Sequence, residues 1–247
     1  TAAQINNGTC THTPPANDFG HGTCVAGIAA GNGFSVQGTA YQGLYTGVAP
    51  EADIIAVRVD NNNFDAAVAD AVDYIFKKAD SLGKPCVINT SVGDYYGSHD
   101  GRDLTGELID ALITAKRGRA LVAAAGNGGN IPFHLGYTLP GVDSAYTLFN
   151  YSNAFGGVYF DFWADAVDFD NNALFAIGCN SSTGVDLGRT PYLNAPALVG
   201  SGGGTYTING ISVDIYVTQY DTRYQVEIIP NTANTTLLWR LQTTGTG

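Results

Sequence analysis

The chain has 247 residues, 45% of them hydrophobic and 13% charged, with 22 acidic against 11 basic side chains and a formal net charge of -11. Such a balance fits a packed globular protein of one large or two ordinary domains and argues against disorder. It excludes nucleic acid and anionic membrane surfaces as partners, since both require a basic footprint, and no stretch approaches the roughly 20 apolar residues that span a bilayer.

The sequence opens TAAQINNG and ends LQTTGTG, with no Met anywhere. It reads as a piece of a longer polypeptide, soluble and secreted or displayed at the cell surface. The first element is GHGTCVAGIAAG, residues 20–31. A helix that begins at His21 puts the imidazole at the positive end of the dipole, which disfavours imidazolium and keeps the ring available as a neutral base. Thr23, Ala26, Gly27 and Ala30 are small enough to let a neighbour approach closely. On its own, however, the motif reads first as a polar residue opening a helix. GNGFSVQG (31–38) looks like a phosphate-binding loop, but it follows a helix where that geometry needs the loop before one, so nucleotide binding is rejected.

ADIIAVRVD (52–60) is a short β-branched run and predicts a buried strand. Phe64, Val68, Ala71, Val72, Ile75, Phe76 and Ala79 then form one apolar stripe of a helix, capped by Asn62 or Asn63 and ended by Gly83 and Pro85. CVINTSVG (86–93) predicts a second strand. DLTGELIDALITAKRG (103–118) predicts a second helix with Leu104, Leu108, Ile109, Leu112 and Ile113 on one face and Gly118 as its stop. ALVAAAGN (120–127) predicts a third strand. Alternation of strand and helix implies parallel strands, with function at their carboxyl ends, here VRVD, NTSVGD and AAAGN.

After about residue 130 helical stripes vanish and short alternating runs follow, such as GVYFDFWAD, TYTINGISVDIYVTQYD and YQVEIIP. Asn209-Gly210 between alternating residues signals a hairpin. The expected class is therefore α/β, a partial parallel sheet with flanking helices, plus an all-β, two-sheet sandwich. The boundary falls near 130–142, giving an α/β domain over 1–135 and the β module over 136–247. Phe160, Phe162 and Trp163 read as sandwich core rather than a sugar-stacking surface. The four cysteines, Cys10, Cys24, Cys86 and Cys179, have no CxxC pair and no zinc spacing, and read as small buried apolar residues; a Cys10–Cys24 disulfide stays open. His99 and Asp100, in GDYYGSHDGRD, read as exposed loop residues, and no metal ligand is assigned.

GHGTCVAG resembles the histidine motif of the subtilisin-like serine proteases, the subtilases. GVAPEADIIAVRV (47–59) resembles the strand after the histidine helix in that family, VINTSVG (87–93) the segment lining the substrate groove, and LVAAAGN (121–127) the strand carrying the oxyanion asparagine. These motifs stand in the family's order over roughly residues 18–130. The resemblance implies that His21 is the general base, that Asn127 donates to the tetrahedral oxyanion, and that Ser91, Val92 and Gly93 pair with the substrate backbone as a strand edge. Ala124, Ala125 and Gly126 would form the other wall, with Gly126 small so as not to crowd the acyl group. Read without the resemblance, Asn127 is a turn residue.

The chain departs from the family at three places. No early strand carries the orienting Asp, and Asp18 reads as a cap or a charge near the helix start. No Ser stands in a G-T-S segment heading a helix. Cys24 occupies a position where many relatives have a second histidine, and packing is its expected role. The β module more loosely resembles a jelly-roll-like domain inserted between oxyanion asparagine and serine in the Csp spore-germination proteases of clostridia; on that reading the serine segment lies beyond residue 247. The expected function is part of a secreted serine endopeptidase acting on polypeptides, inactive by itself; the alternative is a pseudoprotease or protein-binding scaffold. No cofactor is required, structural Ca²⁺ is compatible with loops such as DFDNN (168–172), although turn chemistry explains them more simply, and exposed apolar faces would favour self-association.

Overall fold

Small residues bring backbone against backbone at the first helix, α1 (His21–Ala30). Residues 47–49 run past its end, and the Gly47, Val48 and Ala49 amides donate to the carbonyls of Gly31, Ile28 and Ala29 at 2.7, 3.1 and 2.9 Å. A Cβ on Gly47 would lie 2.8 Å from the Gly27 carbonyl oxygen, so only glycine permits the approach. The carbonyls left over at a helix C-terminus are thereby satisfied. The computed structural model describes residues 20–59, 63–132, 134–136, 138, 140–150, 158–170 and 172–246. They form two compact units, one of the described residues up to Gly93 with Leu112–Ala125, the other of Asp94–Ala111 with the described residues from Gly126 onward.

In the first unit the expected stripe forms α2 (Phe64–Ser81), with Val72, Phe76 and Ala79 buried. Asn63 precedes it without a side-chain cap, and Asn62 lies outside the described residues. Gly83 ends it in the left-handed region at φ 66°, with the Lys84 amide closing on Ala79 O. β1 (Cys86–Thr90) and β2 (Arg119–Ala123) pair in parallel, Ile88 opposite Leu121 and Thr90 opposite Ala123. The helix between them in sequence is α3 (Leu104–Thr114), whose residues up to Ala111 belong to the second unit. Alternation puts Ile88, which is buried, on the face toward α2, while Val87 and Val122 stand exposed on the other.

Residues 52–59 are not a strand, contrary to the expectation, and Ile54 and Val57 are exposed. Asp53 is instead held by Lys84. β-branched composition expresses a fit to a pleated, half-buried surface; among the described residues this run has no ladder partner, so nothing fixes it as a strand. The helices differ in the same sense. No residue of α1 or α3 is buried, and Leu104 and Leu108 of the α3 stripe are exposed.

The β module is two four-stranded antiparallel sheets. One runs β3 (Pro140–Phe149), β10 (Leu238–Thr246), β5 (Leu174–Asn180), β6 (Asp186–Arg189); the other runs β4 (Phe160–Asp165), β9 (Arg223–Pro230), β8 (Ile211–Tyr220), β7 (Gly204–Ile208). Short helices α4 (Ala166–Asp170) and α5 (Ala195–Leu198) lie in the connections. The sheets share one core in which Phe175, Ile177, Trp239, Val213, Ile215, Val226 and Ile228 are essentially solvent-free. The Asn209-Gly210 hairpin forms as expected, both residues at positive φ (50° and 78°) between paired Ile208 and Ile211. Phe160 is buried and Phe162 packs edge-on against Phe175 at 5.4 Å, whereas Trp163 faces the opposite way, stacked on Tyr220. Cys179 is buried, but Cys86 is only half-buried and Cys24 is an exposed free thiol, which corrects the expectation of packed cysteines. Burial raises the thiol pKa of Cys86 and of Cys179. Cys10 lies outside the described residues.

Candidate active site

His21 is the first residue of α1, and Gly20 enters the helix in the left-handed region at φ 71°. The Cys24 amide closes the first turn on Gly20 O at 2.9 Å. Among the described residues no side chain caps this terminus, and its first turn holds no acidic residue. The His21 side chain is exposed. Asp18 lies outside the described residues. Cys24, one turn on, is exposed rather than packed.

The other candidates leave the carboxyl ends of the parallel pair. The ladder closes with the Ala124 amide donating to Thr90 O at 3.0 Å. Beyond it the two chains run on as Ser91–Gly93 and Ala124–Asn127 without regular structure. Ser91 is half-buried, and Val92, Gly93, Ala124, Ala125, Gly126 and Asn127 are exposed. Among the described residues the backbone of Ser91, Val92 and Gly93 makes no hydrogen bond. Free N–H and C=O groups along an extended segment are what an added strand would pair with. The Asn127 amide is also unpaired among the described residues, and the next turn is closed by the Ile131 amide on Gly128 O at 2.8 Å. Ser91–Gly93 and Ala124–Ala125 thus leave one strand pair side by side, while His21 opens a different element of the same unit.

Gly126 is required for two conformational reasons. Its φ is +88°, and a Cβ there would stand 3.1 Å from the Tyr95 hydroxyl oxygen. Tyr95 belongs to GDYYGSHDGRD (93–103), of which residues 94–103 form more than an exposed loop. That loop is a strap on the outer face of β4 and β9. The Gly97 amide donates to Asp161 Oδ2 at 2.8 Å, Arg102 pairs with Asp165 at 3.0 Å, and Arg223 pairs with Asp100 at 3.1 Å and with Asp165 at 3.5 Å. Ser98 is buried and donates to Asp103. Tyr96 packs edge-on against Tyr159, whose hydroxyl bonds Glu227; burial and that carboxylate hold the Tyr159 phenol above its ordinary range. The available signal was the polar set at outward positions of two paired strands, Asp161, Asp165, Arg223 and Gln225, on a face a solvated sheet does not need so precisely filled. Among the described residues no group of three or more His, Cys, Asp or Glu could hold a metal ion, and no helix is long and apolar enough to cross a membrane.

The family model described as the subtilase family matches residues 2–187. The chain belongs to the subtilase family. It is 39% identical over 120 residues to thermitase of Thermoactinomyces vulgaris, which is 47% of this chain and 37% of that protein. It is 37% identical over 120 residues to subtilisin-like protease 3 of Pseudogymnoascus destructans, covering 47% of this chain and 25% of the relative. The CspB protease of Clostridium perfringens has the same fold over 98% of this chain and 51% of its own, with a TM-score of 0.70 at 23% identity. The chain therefore spans about half of that structure, and its matches span between a quarter and somewhat over a third of these curated relatives.

Proposed function

We propose that these 247 residues carry the general base and the oxyanion donor of a subtilisin-type serine endopeptidase acting on polypeptides outside the cell. His21 takes the proton from a serine hydroxyl as it attacks the scissile carbonyl and returns it to the leaving amine. Asn127 donates its side-chain amide to the oxyanion of the tetrahedral intermediate, a contribution on the order of 3 kcal/mol. Ser91–Gly93 pair with the substrate backbone, and Ala124–Gly126 form the opposite wall of the pocket for the residue before the scissile bond. The serine and the orienting aspartate are supplied by sequence outside these residues, so the chain by itself does not turn over peptides. Substrate pairing needs no cofactor, and the β module is jelly-roll-like in character.

The observation that carries this reading is the pair of segments leaving the carboxyl ends of β1 and β2: among the described residues the backbone of Ser91–Gly93 is unbonded, and beyond Ala124, whose amide closes the ladder, the Asn127 amide is unpaired. A serine-reactive fluorophosphonate is the test. The chain alone is expected to remain unlabelled, and stoichiometric labelling would overturn the division of the triad. The gene on either side is expected to encode an upstream strand ending in Asp and a downstream G-T-S-x-x-x-P; a replaced Asp or Ser would sink the peptidase reading in favour of a scaffold.

A further inference from the structure

The sequence contains four Asn-Gly pairs, Asn7-Gly8, Asn32-Gly33, Asn127-Gly128 and Asn209-Gly210. Asparagine is a thermolabile residue, and glycine after it puts no Cβ in the path of a backbone nitrogen attacking the side-chain amide. Whether a given pair reacts depends on whether the fold leaves that side chain and the following amide free to meet. Three of the four can be compared, since Asn7-Gly8 lies outside the described residues.

Asn209-Gly210 is locked. It is the two-residue turn between β7 and β8, with Ile208 paired to Ile211 and both turn residues in the left-handed region. Ile208 is buried in the sandwich core, so the turn rearranges only if the end of the hairpin opens. Asn32-Gly33 is held as well. Asn32 Oδ1 accepts from the Phe34 amide at 3.0 Å, and the Val36 amide closes on Gly33 O at 3.2 Å. Asn127-Gly128 has no comparable restraint. It lies in the irregular segment beyond β2, and Asn127 is exposed. Among the described residues neither the Asn127 side chain, nor its backbone amide, nor the Gly128 amide makes a hydrogen bond. The turn that follows engages only the Gly128 carbonyl, so the Gly128 nitrogen stays available.

We propose that Asn127 is a deamidation site and that its conversion removes the oxyanion donor. The Gly128 nitrogen attacks Asn127 Cγ, and the new C–N bond closes a succinimide ring. The Cγ–Nδ2 bond breaks, and ammonia leaves with the proton of the Gly128 amide. Water then adds to one of the two ring carbonyls and opens the ring. The products are aspartate, or isoaspartate with the main chain running through Cγ. Either one replaces an amide carrying two N–H donors by a carboxylate that at neutral pH only accepts. Such an anion repels the oxyanion it should stabilise. The site therefore carries its own clock, set by the succinimide step and needing no partner protein. The modification stands on the geometry of residues 127–128; its effect on activity rests on the oxyanion assignment under Proposed function.

The test is peptide mapping by mass spectrometry of the full chain after incubation in mildly alkaline buffer, with isoaspartate read by isoaspartyl methyltransferase labelling. Asn127 is expected to convert about tenfold faster than Asn209, whose reaction waits on local opening of the hairpin, and faster than Asn32. In urea the hairpin is lost and the rates should converge. Gly128→Ala should slow conversion at Asn127 several-fold and leave Asn209 at its native rate. Equal rates at Asn127 and Asn209 in the folded protein, or no effect of Gly128→Ala, would overturn the proposal. The second arm uses a polypeptide that also contains the serine and aspartate segments. Its activity on a peptide ester is expected to fall in step with Asn127 conversion, toward that of fresh Asn127→Asp, about 10²–10³-fold lower in kcat. Gly128→Ala should keep its own starting activity longer. Conversion without loss of activity would overturn the oxyanion assignment, and the clock with it, while leaving the modification site standing.

Discussion

At the scale of single residues, His21 and Gly126 separate chemistry from conformation. His21 is exposed and its side chain is unbonded among the described residues, so His21→Ala is expected to shift stability by less than about 0.5 kcal/mol. In a polypeptide that also contains the serine and aspartate segments, the same change should lower kcat by about 10⁴-fold or more, and Asn127→Ala by about 10²–10³-fold, measured on a peptide ester in single-turnover kinetics. A His21→Ala protein that retains activity would remove the base assignment. Gly126 behaves in the opposite way. Its motif context was legible as a site for a small residue, but its positive φ was not, because nothing in AAAGNGG distinguishes a substrate wall from a turn. Gly126→Ala is expected to cost about 1–2 kcal/mol through the left-handed backbone alone. The Tyr95 hydroxyl adds crowding, so Tyr95→Ala in the same protein should restore part of the loss in a urea melt, leaving the conformational part behind.

At the scale of elements, what the sequence revealed depended on whether periodicity had a partner to act on. The α2 stripe formed as spaced because β1 and β2 present a face to receive it. The run 52–59 has strand composition and, among the described residues, no strand beside it. The strap was invisible for the reverse reason: its polar, aperiodic residues read as a loop, and its meaning lies in charges more than 60 residues away on β4 and β9. The joint between α2, α3 and β2 was equally hidden. Arg119, at the start of β2, donates to Asp80 at 2.7 Å and to the Leu112 carbonyl at 2.6 Å, and its guanidinium lies 4.7 Å over the Phe76 ring. Lys116 completes the cluster on Asp80 at 2.9 Å. Hydrogen bonds from Lys116 and then Arg119 hold the Asp80 carboxyl below its ordinary pKa. A depressed carboxylate contributes stability that is present above its unfolded pKa and lost as pH falls through the folded value. The helical signal of the first unit is therefore expected to weaken as pH drops below about 4, and Asp80→Asn should flatten that dependence. Arg119→Ala should cost about 2 kcal/mol at neutral pH, since it removes charge-assisted bonds from a nearly covered guanidinium.

At the scale of the molecule, the two units differ in how much they bury. Among the described residues the buried hydrophobics of the first are Val72, Phe76, Ala79 and Ile88, whereas the β module gathers nineteen buried residues into one cluster. The sequence showed the change of texture near residue 130 but not this inequality, because amphipathic stripes are legible whether or not a neighbour covers them. α1, in the first unit, carries small and apolar residues and buries none. Stability is a small difference between burial and conformational entropy, so a unit with a shallow core unfolds first. The composition supplies a clean pair of probes. The only two tryptophans, Trp163 and Trp239, both lie in the β module, while the longest helix, α2, lies in the first unit. Ellipticity at 222 nm is therefore expected to fall at lower urea than the tryptophan emission shift, giving two transitions that do not coincide. Trp239 is fully buried, so Trp239→Ala should move only the second transition, by about 3–5 kcal/mol, with Trp163 left as the reporter. Coincident transitions in the native protein, or a Trp239→Ala shift shared equally by both signals, would mean that the units fold as one cooperative body and that the weakness of the first is not its own.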